Sequence, residues 1–458
     1  MKDRFAKLLF YLALIGLGFG YGYASNQFEI FPYKLVHNGY LAFRALVDLR
    51  KQKFANENVD FWDETGISGP TYKTLNSNAG SEDIFILGNE LPYANSDGSN
   101  AYLAWIADRD GKILHAWKDP GEIWAPLENR EVVGGIWRSY PVGAYLYPNG
   151  DLLVSYHGVG MFPSAMGLAK FDKDSHLLWK RSDYFHHWFD VGPNGNIYIP
   201  DYKIVESPLQ ISDHDKRFIC RKTKFTVDTI AVLDPDGNKI KEISMQDALV
   251  NSDLAGLFNS NQQNARKIES CDPTHLNDAV ILRQDEQPDF PEFSPGDLLV
   301  SFRTLNTVAV LDPVTERFKW HAVGSSHHQH SPRFYRNNTI FAFDNFGGRL
   351  SRGQSRILAI DVGTHVTKTI FPRDDAALPD MPFDSDTAGH IDVDPSKSHI
   401  LVAFTHQGLV WEIDVNTGEI LWEFVNTHSV DGKPARVSVY TAKYVKDLDF
   451  DLNYGILP

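Results

Sequence analysis

The sequence predicts an all-β chain, a six-bladed β-propeller of four-stranded blades, preceded by an N-terminal membrane helix and a short amphipathic helical segment. Two recurring phrases carry this expectation. The first is a short apolar run ending in Asp, a turn, and a second apolar run often ending in Trp. Its copies span residues 106–117, 168–179, 230–241, 308–320, 357–370 and 409–422, anchored by Asp108, Asp172, Asp234, Asp312, Asp361 and Asp414. The second phrase stands before the first and is a Pro/Asn/Gly-type turn followed by a strand, at 148–155, 193–199, 295–301, 337–343 and 396–403, with 81–87 as a weaker first copy. Gly and Asn supply the positive φ of tight hairpins, and the apolar runs suit strands buried between neighbouring blades.

Taken in order, residues 1–24 read as a membrane anchor or signal segment. Lys2, Arg4 and Lys7 precede an uncharged apolar stretch over 8–24, a length between a signal-peptide core and a full membrane span. Gly22-Tyr23-Ala24 fits a small-x-small cleavage site, whereas Tyr21 and Tyr23 suit an interfacial belt. The positive flank sets the N-terminus in the cytoplasm, and anchored or cleaved, the propeller is expected on the periplasmic or extracytoplasmic side. Residues 25–80 lack the repeat. Leu35, Val36, Tyr40, Leu41, Phe43, Leu46 and Val47 give 33–51 an amphipathic helical spacing, and the polar stretch 56–80 reads as a loop. The propeller occupies 81–445, interrupted by insertions at 204–227 and 244–271. Its last strand, 435–445, is expected to close the ring on an early blade, because an unpaired edge invites aggregation; 446–458 is a tail.

A formal charge of −15 disfavours nucleic acid as a partner, since a phosphate-binding surface needs a basic stripe. Cys220 and Cys271 are the only cysteines; in an exported chain they are either one disulfide or two buried thiols. No Cys/His zinc spacing and no G-x-x-x-x-G-K-[ST] loop occurs, so no cofactor and no metal are expected.

The repeats also act as a coordinate system for the 17 histidines. His187, His330 and His390 each stand ten residues before the first apolar residue of a blade's second strand, Ile197, Ile340 and Ile400. His275 opens the corresponding strand of the fourth blade. Second strands end in His157, Asp201, Arg303, Asn345 and His406, and the loop after the fifth of them carries Arg349 and Arg352. Antiparallel pairing brings the start of a blade's first strand and the end of its second to one mouth of the channel. Imidazoles with guanidinium neighbours suit an oxyanion substrate. The run His327-His328-Gln329-His330 is less apt for a metal, because adjacent residues on a strand point to opposite faces. His115 and His321 fall near the outer strands, away from this mouth.

Several of these phrases resemble the arylsulfotransferase family, propeller enzymes that move sulfuryl groups between phenols without a nucleotide sulfate donor. The resemblance spans roughly 81–445. Its carriers are Thr274-His275-Leu276-Asn277, the runs 297–303 and 308–313, the run 330–345, the closing hairpin 410–424 and the terminal strand 436–444. It implies ping-pong transfer from an aryl sulfate ester to a phenol through a sulfohistidine. Carried over by position, it implies His390 as nucleophile with His406 as the alternative, His275 and His330 as supporting histidines, and Arg349 as the sulfate-binding residue. Arg303 and Arg352 are further candidates for that last role; His187 and Asn345 complete the substrate-binding set.

Two readings of another class remain. A non-catalytic, membrane-anchored propeller would serve as an envelope scaffold or binding module through its acidic surface. A quinone-dependent dehydrogenase propeller is disfavoured by six repeats rather than eight and by the lack of a calcium-and-quinone cluster.

Overall fold

The aspartate that ends each repeat's apolar run is a turn-builder. In the computed structural model, Asp108, Asp172 and Asp234 each accept backbone N–H bonds two and four residues ahead, at 2.8–3.1 Å. Asp312 and Asp414 accept them two and three residues ahead, and Asp361 three ahead. These Asx turns reverse the chain from a blade's third strand into its outer fourth. The tryptophan that follows has an equally definite task. Nε1 of Trp117, Trp320 and Trp422 donates to a carbonyl in the next blade's turns, Gly150 (3.2 Å), Val362 (2.8 Å) and Arg109 (2.9 Å). Each therefore fastens one blade to its neighbour.

The structure describes residues 2–28, 31, 59–67, 69–88, 102–124, 131–132, 138–159, 161–162, 164–206, 209–210, 217–218, 224–258, 272–345, 355–373, 383–394, 396, 398–430 and 432–452. The first unit, Met1–Glu57, contains the helix Lys2–Phe28, of which Arg4–Ser25 is long and apolar enough to cross a membrane. The helical segment expected at 33–51 lies outside the described residues.

The second unit, Asn58–Pro458, is the six-bladed propeller. Blades two to five are antiparallel four-stranded sheets. Their innermost strands are Arg138–Leu146, Asp190–Val191, Leu276–Ile281 and His330–Phe334. Blade six begins at His390–Val393. Blade one takes its innermost strand from the far end of the chain, where Val439–Tyr444 pairs antiparallel with Ile84–Gly88, so the ring closes by the C-terminal strand. Apolar clusters fill the seams between blades: Phe341, Phe343, Ile391, Val402 and Phe404 between five and six, and Ile86, Leu401, Trp422 and Ala442 at the closure.

The stretch read as a loop, 56–80, contributes two strands. Thr71–Thr74 adds a fifth strand to blade six, outside Ile420–Val425, and Val59–Trp62 pairs with Lys433–Val437. Tyr72 explains the first pairing, since its ring packs on Phe424 (4.7 Å between centroids) and its hydroxyl accepts from Trp105 Nε1 at 3.0 Å. The first insertion lengthens a hairpin, with ladder pairs running to Glu206↔Lys224. The second begins with a short helix, Met245–Val250, whose N-terminus is capped by Ser244. Cys220 and Cys271 lie outside the described residues.

Candidate active site

Strand starts and strand ends do meet at one mouth. A cavity of about 250 Å³ there is lined by His157, His187, His275, His330, His406, Arg303, Tyr140, Val142, Ser164, Trp188, Thr387, Ala388 and Tyr440. The backbone entering the innermost strands is left-handed at His187 (φ 57°), His275 (φ 52°) and Ala388 (φ 61°). Non-glycine residues seldom adopt that region, and they do so mostly where the surrounding structure imposes it. At His187 the imposing group is Ser155, whose hydroxyl donates to the His187 carbonyl at 2.7 Å.

Each histidine is held differently. His330 is buried, and its Nδ1 lies 2.7 Å from Asn345 Oδ1. The Asn345 amide nitrogen donates to the carbonyls of Ser385 and Ala388, at 2.6 and 2.8 Å. Asn345 Oδ1 must then accept, so Nδ1 of His330 carries the proton and Nε2 keeps its lone pair. The Ala388 N–H approaches that Nε2 at a long 3.3 Å. Burial, and after it the Arg303 charge, hold the His330 pKa well below the ordinary imidazole value, which keeps the ring neutral.

His275 has an acidic partner. Its Nδ1 is 2.5 Å from Asp272 Oδ2, and its backbone N–H donates to the same carboxylate at 3.2 Å. Burial pushes Asp272 up, but the His275 charge and hydrogen bond, with Thr226 and Arg303, outweigh it and the carboxyl lies below its usual range. Arg303 is largely buried, and its Nε has no hydrogen-bond partner. A buried guanidinium with an idle donor is poised for an oxyanion.

His187 joins a packed imidazole group, with ring centroids 4.5 Å from His157, 4.8 Å from His186 and 5.0 Å from His275. Burial, then the neighbouring histidines, holds its pKa far down. His157, His186 and His187 bring ligand-capable atoms within 4.8 Å of one another. Three of these ring nitrogens are engaged within the group: Nδ1 of His186 and Nδ1 of His187 are 2.6 Å apart, and His157 Nε2 accepts the His187 N–H at 3.0 Å. Hydrogen bonds thus knit these three histidines into one cluster. The doublet His327-His328, expected on opposite strand faces, instead sits in the bend before His330–Phe334 with its rings stacked at 4.2 Å.

Of the residues proposed from sequence, His187, His275, His330, Arg303 and His406 line the cavity, and Asn345 supports His330 from behind. His406 Nε2 meets the Thr387 hydroxyl at 2.8 Å. His390 does not line the cavity. It pairs with Ala403 in the register in which His330 pairs with Phe343, three residues past the aligned isoleucine in each blade. A bulge between His330 and Arg333 has no counterpart in the regular ladder of His390. His390 is fully buried, its ring 6.2 Å from the indole of Trp188, and the Arg333 guanidinium donates to its Nε2 at 3.0 Å. Asp201 turns away to bond Lys239 at 2.6 Å. Arg349 and Arg352 lie outside the described residues.

Sequence reasoning overlooked Asp272, His186, Trp188, Tyr140 and Tyr440. An Asp-x-x-His spacing and a His-His doublet were available signals for the first two. Tyr440 arrives with the closing strand, which only the tertiary fold brings to the mouth.

A sequence model of the family described as Arylsulfotransferase (ASST) matches residues 145–431. No curated protein matches the chain. Among solved structures, a protein of unknown function from Bacteroides caccae aligns at 12% identity and TM-score 0.42, over 75% of this chain and 93% of its own. TolB from Acinetobacter baumannii aligns at 9% and 0.42, over 80% and 66%. A streptogramin B lyase aligns at 10% and 0.40, over 81% and 98%.

Proposed function

The chain belongs to the arylsulfotransferase family, and we propose that it transfers a sulfuryl group from an aryl sulfate ester to a phenolic acceptor through a sulfohistidine. The observation that carries the proposal is the Arg303 guanidinium, whose buried Nε has no hydrogen-bond partner, in the same cavity as His275 and His330. Arg303 binds the sulfate oxygens, where charge develops in the transition state. His330 is the nucleophile: its neutral ring, fixed by Asn345 with Nδ1 protonated, offers Nε2 to sulfur, and the imidazolium formed by attack keeps the Nδ1–H···Oδ1 bond. His275, its Nδ1 held by Asp272, positions the phenolic substrate beside the reacting sulfur. Trp188, Tyr140 and Tyr440 supply the aromatic walls, and a cavity of about 250 Å³ suits a single-ring ester.

His330 is preferred to His390 because the His390 Nε2 lone pair accepts from a charged guanidinium at 3.0 Å, whereas that of His330 meets only a backbone N–H at 3.3 Å, and because the His390 ring does not line the cavity. The apolar N-terminal helix supports a membrane-attached or exported enzyme working outside the cytoplasm. Incubation of the purified ectodomain with a chromogenic aryl sulfate, without acceptor, followed by intact mass tests the proposal. A sulfuryl adduct is expected on the wild type and on His390→Ala, but not on His330→Ala. An adduct that disappears with His390→Ala and persists in His330→Ala returns the nucleophile to His390. No adduct and no donor turnover favours the scaffold reading.

A further inference from the structure

Behind His187 the packed imidazoles lead to a carboxyl group that sulfuryl transfer as described leaves unused. The Nδ1 atoms of His187 and His186 face each other at 2.6 Å. His186 is wholly buried and stacked on Tyr202 (3.8 Å between centroids, 15° between planes). Its Nε2 lies 4.0 Å from Asp228 Oδ1, and both atoms lack a hydrogen-bond partner. The other Asp228 oxygen is saturated, accepting from the Thr274 hydroxyl and from the Leu276 N–H at 2.9 Å. Two orphaned polar atoms facing each other in a dry interior are costly, and at 4.0 Å they must approach by about 1 Å before a proton can pass between them.

We propose that Asp228, His186 and His187 form a buried proton relay that gives the leaving phenolate its proton in the first half-reaction and recovers it from the acceptor phenol in the second. The inference rests on the sulfuryl-transfer reading of the cavity.

Donor and acceptor roles along the chain admit two states. In the first, Asp228 Oδ1–H faces His186 Nε2, His186 Nδ1–H donates to His187 Nδ1, and His187 Nε2–H is presented to the cavity. In the second, each proton has moved one place: His187 Nε2 is bare, His187 Nδ1–H donates to His186, and His186 Nε2–H faces the Asp228 carboxylate. The states differ by one proton delivered at the cavity.

The balance closes on one turnover. The His330 Nε2 lone pair forms the N–S bond, the S–O(aryl) bond breaks, and its electron pair stays on the aryl oxygen. That oxygen takes the His187 Nε2 proton and leaves as a phenol. The sulfated ring is an imidazolium carrying a sulfonate, neutral overall, and the negative charge that entered on the ester now resides on Asp228. The acceptor phenol reverses each step. Groups facing the relay favour the first state at rest. Asp228 is flanked by Asp272, Thr274, His275 and Tyr202, and burial followed by the Asp272 charge raises its pKa well above the carboxylate range. His186 is flanked by His157, His187 and His275, and burial followed by the His157 charge keeps it neutral.

The test compares two donors in a rapid-quench burst without acceptor. A nitrophenyl sulfate expels a phenolate that needs no proton; phenyl sulfate expels one that does. Asp228→Asn retains the hydrogen bonds to Thr274 and Leu276 but cannot release a net proton. The ratio of burst rates, nitrophenyl over phenyl, is expected to rise on the order of 10²-fold, the usual worth of general acid catalysis. A merely structural defect slows both donors together and leaves the ratio unchanged, which would overturn the relay. If Asp228→Asn fails to fold, His186→Phe keeps the stack on Tyr202 while cutting the same path, and an unchanged ratio there refutes the proposal equally. A wild type that forms no adduct with either donor removes the sulfotransfer reading, and the relay with it. A wild-type adduct with an unmoved ratio in the variants removes the relay alone.

Discussion

Replacing Arg303 by Met separates catalysis from folding in one substitution. Met keeps a stem of similar length against the cavity wall and deletes the guanidinium, whose Nε is buried and unbonded. An unsatisfied buried donor costs about 1–3 kcal/mol. Its removal is offset in part by the lost attraction to Asp272, which keeps His275 and Thr226 as partners. The two contributions oppose each other, so stability should change by about 1 kcal/mol or less, roughly 2 °C in Tm. Catalysis has no such compensation. Loss of one pre-aimed oxyanion donor typically lowers the rate by about 10²–10³-fold, and that is the expected fall in kcat/KM for an aryl sulfate donor. Differential scanning fluorimetry with added inorganic sulfate gives an independent reading, because a ligand that binds only the native state raises Tm. Sulfate should stabilise the wild type and leave Arg303→Met unmoved. A variant that retains activity, or one in which sulfate still raises Tm as in the wild type, refutes the assignment of Arg303 as the sulfate-binding residue.

Other substitutions probe the supporting structure. Asn345→Leu frees Nδ1 of His330 and leaves the Ser385 and Ala388 carbonyls without their donor; adduct formation should drop about 10²-fold or more, read by intact mass over time. Trp422→Ala opens the seam that closes the ring and deletes the bond to the Arg109 carbonyl; a loss of about 3–5 kcal/mol is expected in urea unfolding. The Asp228 pKa is raised in the folded state, so the stability this carboxyl confers is whole below its unfolded value near 3.9 and erodes as pH rises toward the folded value. Asp228→Asn does not titrate, and the variant should therefore gain on the wild type as pH rises from 4 to 8 in paired thermal melts.

The blades were legible because their grammar is local. An aspartate satisfied by the N–H groups two to four residues on, and glycines at positive φ such as Gly150 and Gly195, leave their mark within a dozen residues. The closing strand was legible for a different reason, since an alternating segment at the chain's end needs a partner. What stayed hidden depends on pairings between remote segments. Nothing near Thr71–Thr74 announces that its partner is Ile420–Val425, and Tyr140 and Tyr440 become neighbours, 5.4 Å between rings, only when blade two meets the last strand. Arg303 was recognisable from its place at a strand end, whereas its idle Nε, the property that matters, is a fact of burial.

His330 and His390 mark the limit of reading by register. Both open the innermost strand of a blade, and both oppose the residue three places past the aligned isoleucine. Register fixes a position along the ladder and leaves open which neighbours meet the ring there. At His330 the neighbour is a neutral amide acceptor that orders Nδ1–H, and in this cavity-lining ring Nε2 meets only the Ala388 N–H at 3.3 Å. At His390 it is a guanidinium, itself bonded to Asp278 at 2.8 Å, that occupies Nε2. A neutral imidazole is a nucleophile through a lone pair it can free; a backbone N–H at 3.3 Å releases it more readily than a charged guanidinium at 3.0 Å, so two equivalent positions acquire different chemistry. Arg333→Met would release the His390 lone pair while leaving that ring outside the cavity. If access as well as basicity decides, the variant should form no second adduct, and intact mass should find a single sulfuryl group whose loss still follows His330→Ala.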